Sequence, residues 1–503
     1  MRVSLVGAGP GDAGLLTIMG TRRIQSADVV LFDRFVSKEI LAMIPVSAEV
    51  IDVGKNAGSH PVPQSGINRL LLEKAKQGFN VVRLKGGDPF LFGRGGEELE
   101  LLAENGIPFE VVPGVSSAIA AAAYAGIPVT HRDYVSSLHI ISGHAKNNET
   151  PKINYNALVR TNGTLVFLMG VTAVEEICKG CIAAGMSKDM PAAIVENATT
   201  SKQRKFVGTV ETLPVIVREN AVKSPATIII GMVCGLSGRY DWFSQRPLFG
   251  THIIVARVKP GISKLSERLR EMGAHVTELL CAKITPLTVP GCLLEKALEN
   301  IADYSWLVFT SSIGVNVFFN YLIEAKIDIR QLHHIRIACV GTETEKEVGK
   351  RGINTDYCPG EYNGAALALG LCKIIKSGER VLIARAKDGA EDLTRVLTEA
   401  GINYDDVAIY EKTRWGGHWL LSDAEYAPLQ VAFTCSSSVE IFAESMIDID
   451  FSKIKAVCIG ERTAGTARSY GMEAYVSTEA TIDSMVKRIE EINACQREEI
   501  ING

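Results

Sequence analysis

Two stretches of this chain repeat each other, and the duplication limits what its second half can fold into. IIVARVKPGISKLSERLREMGA from Ile253 and VLIARAKDGAEDLTRVLTEAGI from Val381 align Arg257 with Arg385, Gly261 with Gly389, Leu265 with Leu393, Leu269 with Leu397 and Gly273 with Gly401. VFTSSIGVNVFF from Val308 matches AFTCSSSVEIFA from Ala432. CVGTETEKEVGKRG from Cys339 matches CIGERTAGTARSYG from Cys458, pairing Gly341, Thr344 and Gly352 with Gly460, Thr463 and Gly471. Matches that keep their internal spacing mark a repeated supersecondary unit. Each unit reads as an apolar strand followed by a helix. The expectation is two similar α/β lobes with a ligand cleft between them.

The first half also alternates short apolar runs with helical patterns, so the whole chain reads as α/β. Its strand candidates are 3–6, 28–32, 81–84, 109–112, 138–142, 165–169, 192–196 and 227–232. Pro113-Gly114 is a strong turn signal and divides it into sub-domains of about 1–113 and 114–240. A seam, RYDWFSQRPLFG, runs from Arg239 to Gly250, with a linker expected at 241–249, the second block at 250–495 and a tail at 496–503. A formal net charge of −4 gives no global basic field for nucleic acid. The longest small-apolar run, 118–129, is far short of the roughly 20 residues a membrane helix needs. The N-terminus does not read as a signal peptide, because glycines and Asp12 break its apolar stretch. The 11 cysteines, an odd number scattered mostly singly, suit reduced thiols in a cytoplasm. Cys178 and Cys181 form one C-x-x-C without a second pair, read as core thiols; no metal site is expected.

The opening MRVSLVGAGPGDAGLLT satisfies G-x-G-x-x-G from Gly9, with a strand before it, a helix expected over 15–24 and an acid, Asp33, ending the next apolar run. By spacing this is a dinucleotide fingerprint. Two residues oppose a pyrophosphate there. Pro10 removes an N–H, and Asp12 supplies the protein's own anion where the helix should begin. No G-K-[ST] follows, so an ATP loop is excluded. RLKGGDPFLFGRGGEE offers carbonyls and close backbone approach suited to a sulfonium cation, and Ser116-Ser117 open a small-residue helix where hydroxyls can cap and touch a ligand. Further strands end near Met169 and near Asn197-Ala198.

VSLVGAGPGDAGLLT, ADVVLFDRFV, VGK at 53–55, RLKGGDPFLFGRGGEE, VPGVSSAIA, PVTHR and FLMG together resemble the tetrapyrrole methylases, most of all the uroporphyrinogen-III C-methyltransferases, over about 1–240. The resemblance implies S-adenosylmethionine as donor, S-adenosylhomocysteine as product, two methylations of a porphyrinogen to precorrin-2, and homodimerisation through this half. By position it implies a donor pocket of Pro10, Gly86, Gly87, Asp88, Leu91, Ser116, Ser117, Met169 and Ala198, the last standing where the family often has glycine. Asp33 and Lys55 match the family's acid/base pair, the first to take a proton from the macrocycle and the second to donate or steady charge. A helix cap or a ribose contact is the other reading of Asp33. Arg34, Arg83, Lys85, Arg94, His131 and Arg132 are candidates to hold the substrate's carboxylates.

The second block, through FTSSIGV, CVGTET, ARAKDG, AIYEKT and CIGERTA, resembles uroporphyrinogen-III synthase. That fold implies one lobe of 250–287 with 412–495 and another of 288–411. The resemblance implies cofactor-free closure of hydroxymethylbilane with inversion of the last pyrrole. Tyr410 matches the family's tyrosine as a proton donor, with Thr310, Ser311, Thr344, Thr434, Ser436 and Thr463 as substrate anchors. The product of the second block would be the substrate of the first. A nicotinamide oxidoreductase, a non-catalytic binding module in the second block and methylation of another tetrapyrrole position are the alternatives.

Overall fold

The computed structural model describes residues 2–45, 47–54, 62–143, 152–257, 263–280, 282–289, 291–414, 429–446 and 449–502. The chain divides into two compact units, one built mainly on residues up to His252, the other on Ile253–Ser266 with Thr277–Ile489.

The first unit carries two sheets. β1 (Arg2–Gly7), β2 (Val29–Phe32), β3 (Glu49–Asp52), β4 (Asn80–Lys85) and β5 (Phe109–Val112) form a parallel sheet in the order β3-β2-β4-β1-β5. Val3 and Leu5 join one apolar cluster, while Val6 joins another. That double burial is the reason a parallel strand reads as an unbroken apolar run. β6 (Leu138–Ser142), β7 (Thr164–Leu168), β8 (Pro191–Glu196), β9 (Arg204–Thr209) and β10 (Ala226–Ile230) form a mixed sheet in the order β6-β7-β10-β8-β9. The alanine-rich helix Ser117–Tyr124 packs Ala118, Ala121 and Ala122 against Val166 and Ile229 of that sheet.

Residues 241–249 are not an open linker. Trp242 and Phe243 pack on Tyr124, with ring centroids 5.0 and 4.7 Å away, and the Trp242 indole N–H donates to the carbonyl of Ala123 at 2.9 Å. Arg246 lies over both rings. The 496–502 stretch is likewise no loose tail but continues the helix Ile482–Asn502.

In the second unit, β11 (His252–Arg257), β12 (His275–Leu280), β18 (Leu429–Phe433), β19 (Ile454–Cys458) and β20 (Glu473–Val476) form a sheet ordered β12-β11-β18-β19-β20. β13 (Ala282–Pro286), β14 (Trp306–Phe309), β15 (Arg336–Cys339), β16 (Arg380–Ala386) and β17 (Asn403–Arg414) form the other, ordered β13-β17-β16-β14-β15. The repeated segments occupy matching places: β12-β11-β18-β19 corresponds to β17-β16-β14-β15. An ion pair repeats with them. Arg257 meets Glu278 across β11 and β12, and Arg385 meets Asp406 across β16 and β17. β13 pairs antiparallel with the end of β17, which moves 282–286 and 412–414 into the lobe expected to span only 288–411.

One packing constraint in the first unit has a direct test. A Cβ on Gly114 would stand 2.2 Å from the Gly87 carbonyl oxygen and 2.7 Å from the Gly7 Cα. Gly114→Ala is therefore expected to cost about 1–3 kcal/mol or more, read as a lower midpoint of the first unfolding step in denaturant.

Candidate active site

The parallel sheet sets up the site. Adjacent strands β2, β4, β1 and β5 end at the same edge, so their following loops (33–37, 86–91, 8–12 and 113–117) stand side by side, where α/β sheets bind ligands. Gly7, Gly87 and Gly114 let three of these backbones touch. Gly9 and Gly87 exchange hydrogen bonds, N–H to carbonyl, at 3.2 and 2.7 Å. Gly87 has φ +68° and a Cβ there would meet nothing nearer than 4.0 Å, so space opens beside it. Asp88 bolts the loops together. Its Oδ1 accepts from the N–H groups of Phe90 and Leu91, and its Oδ2 from that of Gly114 at 3.0 Å.

The glycine loop does not enter a helix as a dinucleotide loop does. A short 3-10 turn, Ala13–Leu15, comes first, and the α-helix begins only at Ile18, capped by Thr17. Asp12 accepts from the Gly14 N–H through Oδ1, which corrects the helix expected over 15–24 and fills the place of a phosphate.

A ring of hydrogen bonds joins this loop to the second sheet. The Asp12 N–H donates to Thr199 Oγ1 (3.2 Å) and the Thr199 N–H to Gln203 Oε1 (2.9 Å). Gln203 Nε2 donates to the Tyr124 carbonyl (3.0 Å), and the Tyr124 hydroxyl closes the ring on Asp12 Oδ2 (2.8 Å). Burial, then the bond to Asp12, raises the Tyr124 phenol above its ordinary value, keeping it a donor. Met169 (φ +57°), Asn197 (+47°) and Thr199 (+69°) take left-handed backbone at the ends of β7 and β8. Such non-glycine residues cluster at ligand sites. Leu91 and Ala198 pack on the cluster that holds Leu168 and the 117–124 helix. Ser116 caps that helix by accepting from the Ala118 N–H, and Ser117 is its first residue. Pro10, Gly86, Gly87, Asp88, Leu91, Ser116, Ser117 and Ala198 therefore come from neighbouring loops of this unit, and Met169 follows Leu168 at the end of β7.

Asp33 stands at the end of β2 with its side chain 29% exposed. Arg83 Nη2 donates to its Oδ1 at 2.6 Å. Arg83 and Lys85 lie on the central strand β4, 2 and 3% exposed. Both also donate to Oε1 of Glu98, which is itself fully buried. Burial, with the Arg83 charge second, pushes the Lys85 amine below its ordinary value. These two cations stand behind Asp33, contrary to the expectation that they grip substrate carboxylates. Arg34, Arg94 and Arg132 are exposed, Arg94 pairing with Glu97, and His131 is partly buried. Lys55 lies outside the described residues. Cys178 and Cys181 are apolar core, their thiols pushed up to about 12 and about 11 by burial. Sequence reasoning missed Tyr124, Thr199, Gln203 and Glu98; none sits in a pattern that distinguishes it from helix filler, turn or solvated charge.

In the second unit, Tyr410 on β17 is 2% exposed, and its hydroxyl lies 2.9 Å from Ser311 Oγ. Ser311 caps the helix Ser312–Glu324, its Oγ accepting from the Gly314 N–H. Thr310 precedes it at the end of β14. Thr434 is exposed after β18, and Ser436 opens the helix Ser436–Ser445. Thr344 and Thr463, by contrast, are buried in their helices at 4 and 5% exposure.

Tyr124→Phe removes one link of the ring and leaves a carboxylate oxygen short of a donor. It is expected to destabilise the first unit by about 1.5–3 kcal/mol, measured by denaturant unfolding beside Asp12→Asn, which weakens the same link.

Residues 2–214 match the family model of tetrapyrrole (corrin/porphyrin) methylases, and residues 263–487 that of uroporphyrinogen-III synthase HemD. The porphyrin biosynthesis protein HemD of Ruminiclostridium josui is 47% identical over 493 residues, 97% of this chain and 98% of that one. The uroporphyrinogen-III C-methyltransferase of Bacillus subtilis strain 168 is 40% identical over 352 residues, 70% of this chain and 72% of its own. A crystal structure of uroporphyrin-III C-methyl transferase from Thermus thermophilus, complexed with S-adenosyl homocysteine, is 41% identical and covers 46% of this chain and 98% of its own, with a TM-score of 0.40. With its motif loops on four neighbouring strand ends and its duplicated second half, the chain belongs to the porphyrin-biosynthesis family that joins a tetrapyrrole methylase to a uroporphyrinogen-III synthase.

Proposed function

We propose that the chain catalyses two consecutive steps. Its second half closes hydroxymethylbilane to uroporphyrinogen III with inversion of ring D, and its first half then methylates that product twice to precorrin-2. The observation that carries this reading is the placing of Asp33, partly open and oriented by Arg83, one strand away from a glycine cradle shaped for a close-lying ligand.

S-adenosylmethionine supplies an electrophilic methyl group on a sulfonium when bound. The residues present fit it: Gly87, between Gly86 and Asp88, offers backbone beside open space, and Pro10 and Asp12 leave no seat for a diphosphate. Asp33 takes the proton that the macrocycle sheds after alkylation, and the buried Arg83 keeps its carboxylate aimed. Lys55 is the donor of the pair. Phe35 and Phe90, on the loops after β2 and β4, are 56 and 58% exposed and give the apolar macrocycle a surface. Arg34, Arg94, His131 and Arg132 then serve its carboxylates. In the second half, Tyr410 is the acid that helps the substrate hydroxyl leave, and Thr310, Thr434 and Ser436 anchor side arms.

The same reading makes the chain a homodimer through its methylase half, working in the cytoplasm. Every described cysteine is a free thiol, and no helix among the described residues is long and apolar enough to cross a membrane.

Supplying hydroxymethylbilane with and without S-adenosylmethionine, and following products by absorbance and mass, tests both steps. Asp33→Asn is expected to lower methyl transfer by about 10²–10⁴-fold while the type III ring still forms. Methyl transfer at the native rate would remove Asp33 from the chemistry, and an absence of ring closure would leave the second half a binding module.

A further inference from the structure

The duplication makes Ser311 and Tyr410 comparable with their counterparts in the other lobe. There the Ser311 position is Cys435, which precedes the helix Ser436–Ser445 with no side-chain bond to a helix N–H, its Sγ meeting the Ser437 hydroxyl instead. The Arg257–Glu278 and Arg385–Asp406 pairs fix the alignment of the neighbouring strands. By that alignment the Tyr410 position is Ala282, flanked by Cys281 and Lys283, so no aromatic hydroxyl is present. The ion pair was kept in both lobes, whereas the hydroxyl pair stands in one.

Within that pair the two hydroxyls are not equally placed. Tyr410 is 2% exposed, and Ser311 is partly open at the end of β14. Ser311 Oγ already accepts from the Gly314 N–H at 3.0 Å, the first turn of a 13-residue helix. A hydroxyl in that position has its own proton free to give, and any negative charge left on it is met by the helix N-terminus. Burial raises the Tyr410 phenol above its ordinary value, against the bond to Ser311, so it rests protonated.

Building on the reading of Tyr410 as the acid of ring closure, we propose that Ser311 is the group that meets the substrate and that Tyr410 acts through it. The C–O bond of the hydroxymethyl arm breaks, its electron pair leaving with oxygen. That oxygen takes the Ser311 proton and departs as water. Ser311 Oγ takes the Tyr410 proton, and the positive charge stays on the pyrrole-methylene carbon it came from. When the ring closes, the pyrrole carbon loses its surplus proton, which returns through Ser311 to the phenolate. No redox partner or metal enters the balance.

The test uses the full chain, hydroxymethylbilane and separation of the type I and type III isomers, with thermal midpoints recorded for every variant. Ser311→Ala and Tyr410→Phe are each expected to slow formation of the type III isomer by about a hundredfold, with the double variant no slower than either. Ser311→Thr, which keeps the hydroxyl, should recover to within about tenfold of native. Ser311→Asn, which keeps a capping acceptor and loses the hydroxyl, should stay slow. Native-like rates for Ser311→Ala with a slow Tyr410→Phe would overturn the relay and leave Tyr410 acting directly. An active Ser311→Asn would reduce Ser311 to a helix cap and overturn it equally. Native-like rates in both Ser311→Ala and Tyr410→Phe would remove the acid reading itself.

Discussion

The methylase half depends on one close approach. Gly7, Gly87 and Gly114 end or follow three neighbouring strands, and their backbones touch with no room for a side chain. That contact turns three separate loops into one wall. The exchanged bonds between Gly9 and Gly87 and the Asp88 carboxylate then hold the wall without an apolar core of its own. The ring through Asp12, Thr199, Gln203 and Tyr124 ties it to the second sheet. Each link is individually modest, near 1 kcal/mol or somewhat more where a charge takes part. Their value lies in geometry: a loop fixed at both ends loses little entropy when a ligand arrives.

Behind that wall the half buries charges in balance. Arg83 and Lys85 face Asp33 and Glu98, two cations against two carboxylates, with Gln64 donating a further bond to Glu98 Oε1. Replacing such groups by well-packed apolar residues is often neutral or stabilising. Its retention is therefore better explained by position than by energy: Arg83 cannot swing away from Asp33 while Glu98 holds its other edge.

Much of this was legible in the order of residues. The alternating apolar runs gave the inner strands, because parallel strands are buried on both faces. β3 and β9 escaped notice for the complementary reason. Both are edge strands, EVID largely exposed and RKFVGT partly so, neither with a fully buried residue, and an edge strand needs no apolar run. The pocket loops were legible through glycines whose conformations only glycine tolerates. Arg83 and Lys85 were misjudged because a basic residue is ordinarily a surface residue. Yet they belong to VVRLK, an inner strand whose neighbours are all buried, and that context outweighs residue type. The polar ring was not legible at all. Gln203 and Tyr124 stand 79 residues apart in one sub-domain, and the ring closes only where Asp12 of the other sub-domain meets Tyr124 and Thr199.

Both halves gather candidate site residues at the carboxyl ends of parallel strands, yet they arm those ends differently. At such an edge the helices that follow present unpaired N–H groups, so negative charge or electron-rich oxygen is welcome from the backbone alone. The methylase half opposes this locally with its own carboxylates, Asp12, Asp33 and Asp88, an arrangement that suits a cationic donor and a proton to be removed. The synthase half sets neutral hydroxyls, Thr310, Ser311, Thr434 and Ser436, after β14 and β18, with the paired Arg257 and Arg385 near the ends of β11 and β16, which suits a polyacidic chain that must be held and turned. The groups placed at the strand ends thus differ between two α/β halves, and α/β class alone would not have separated them.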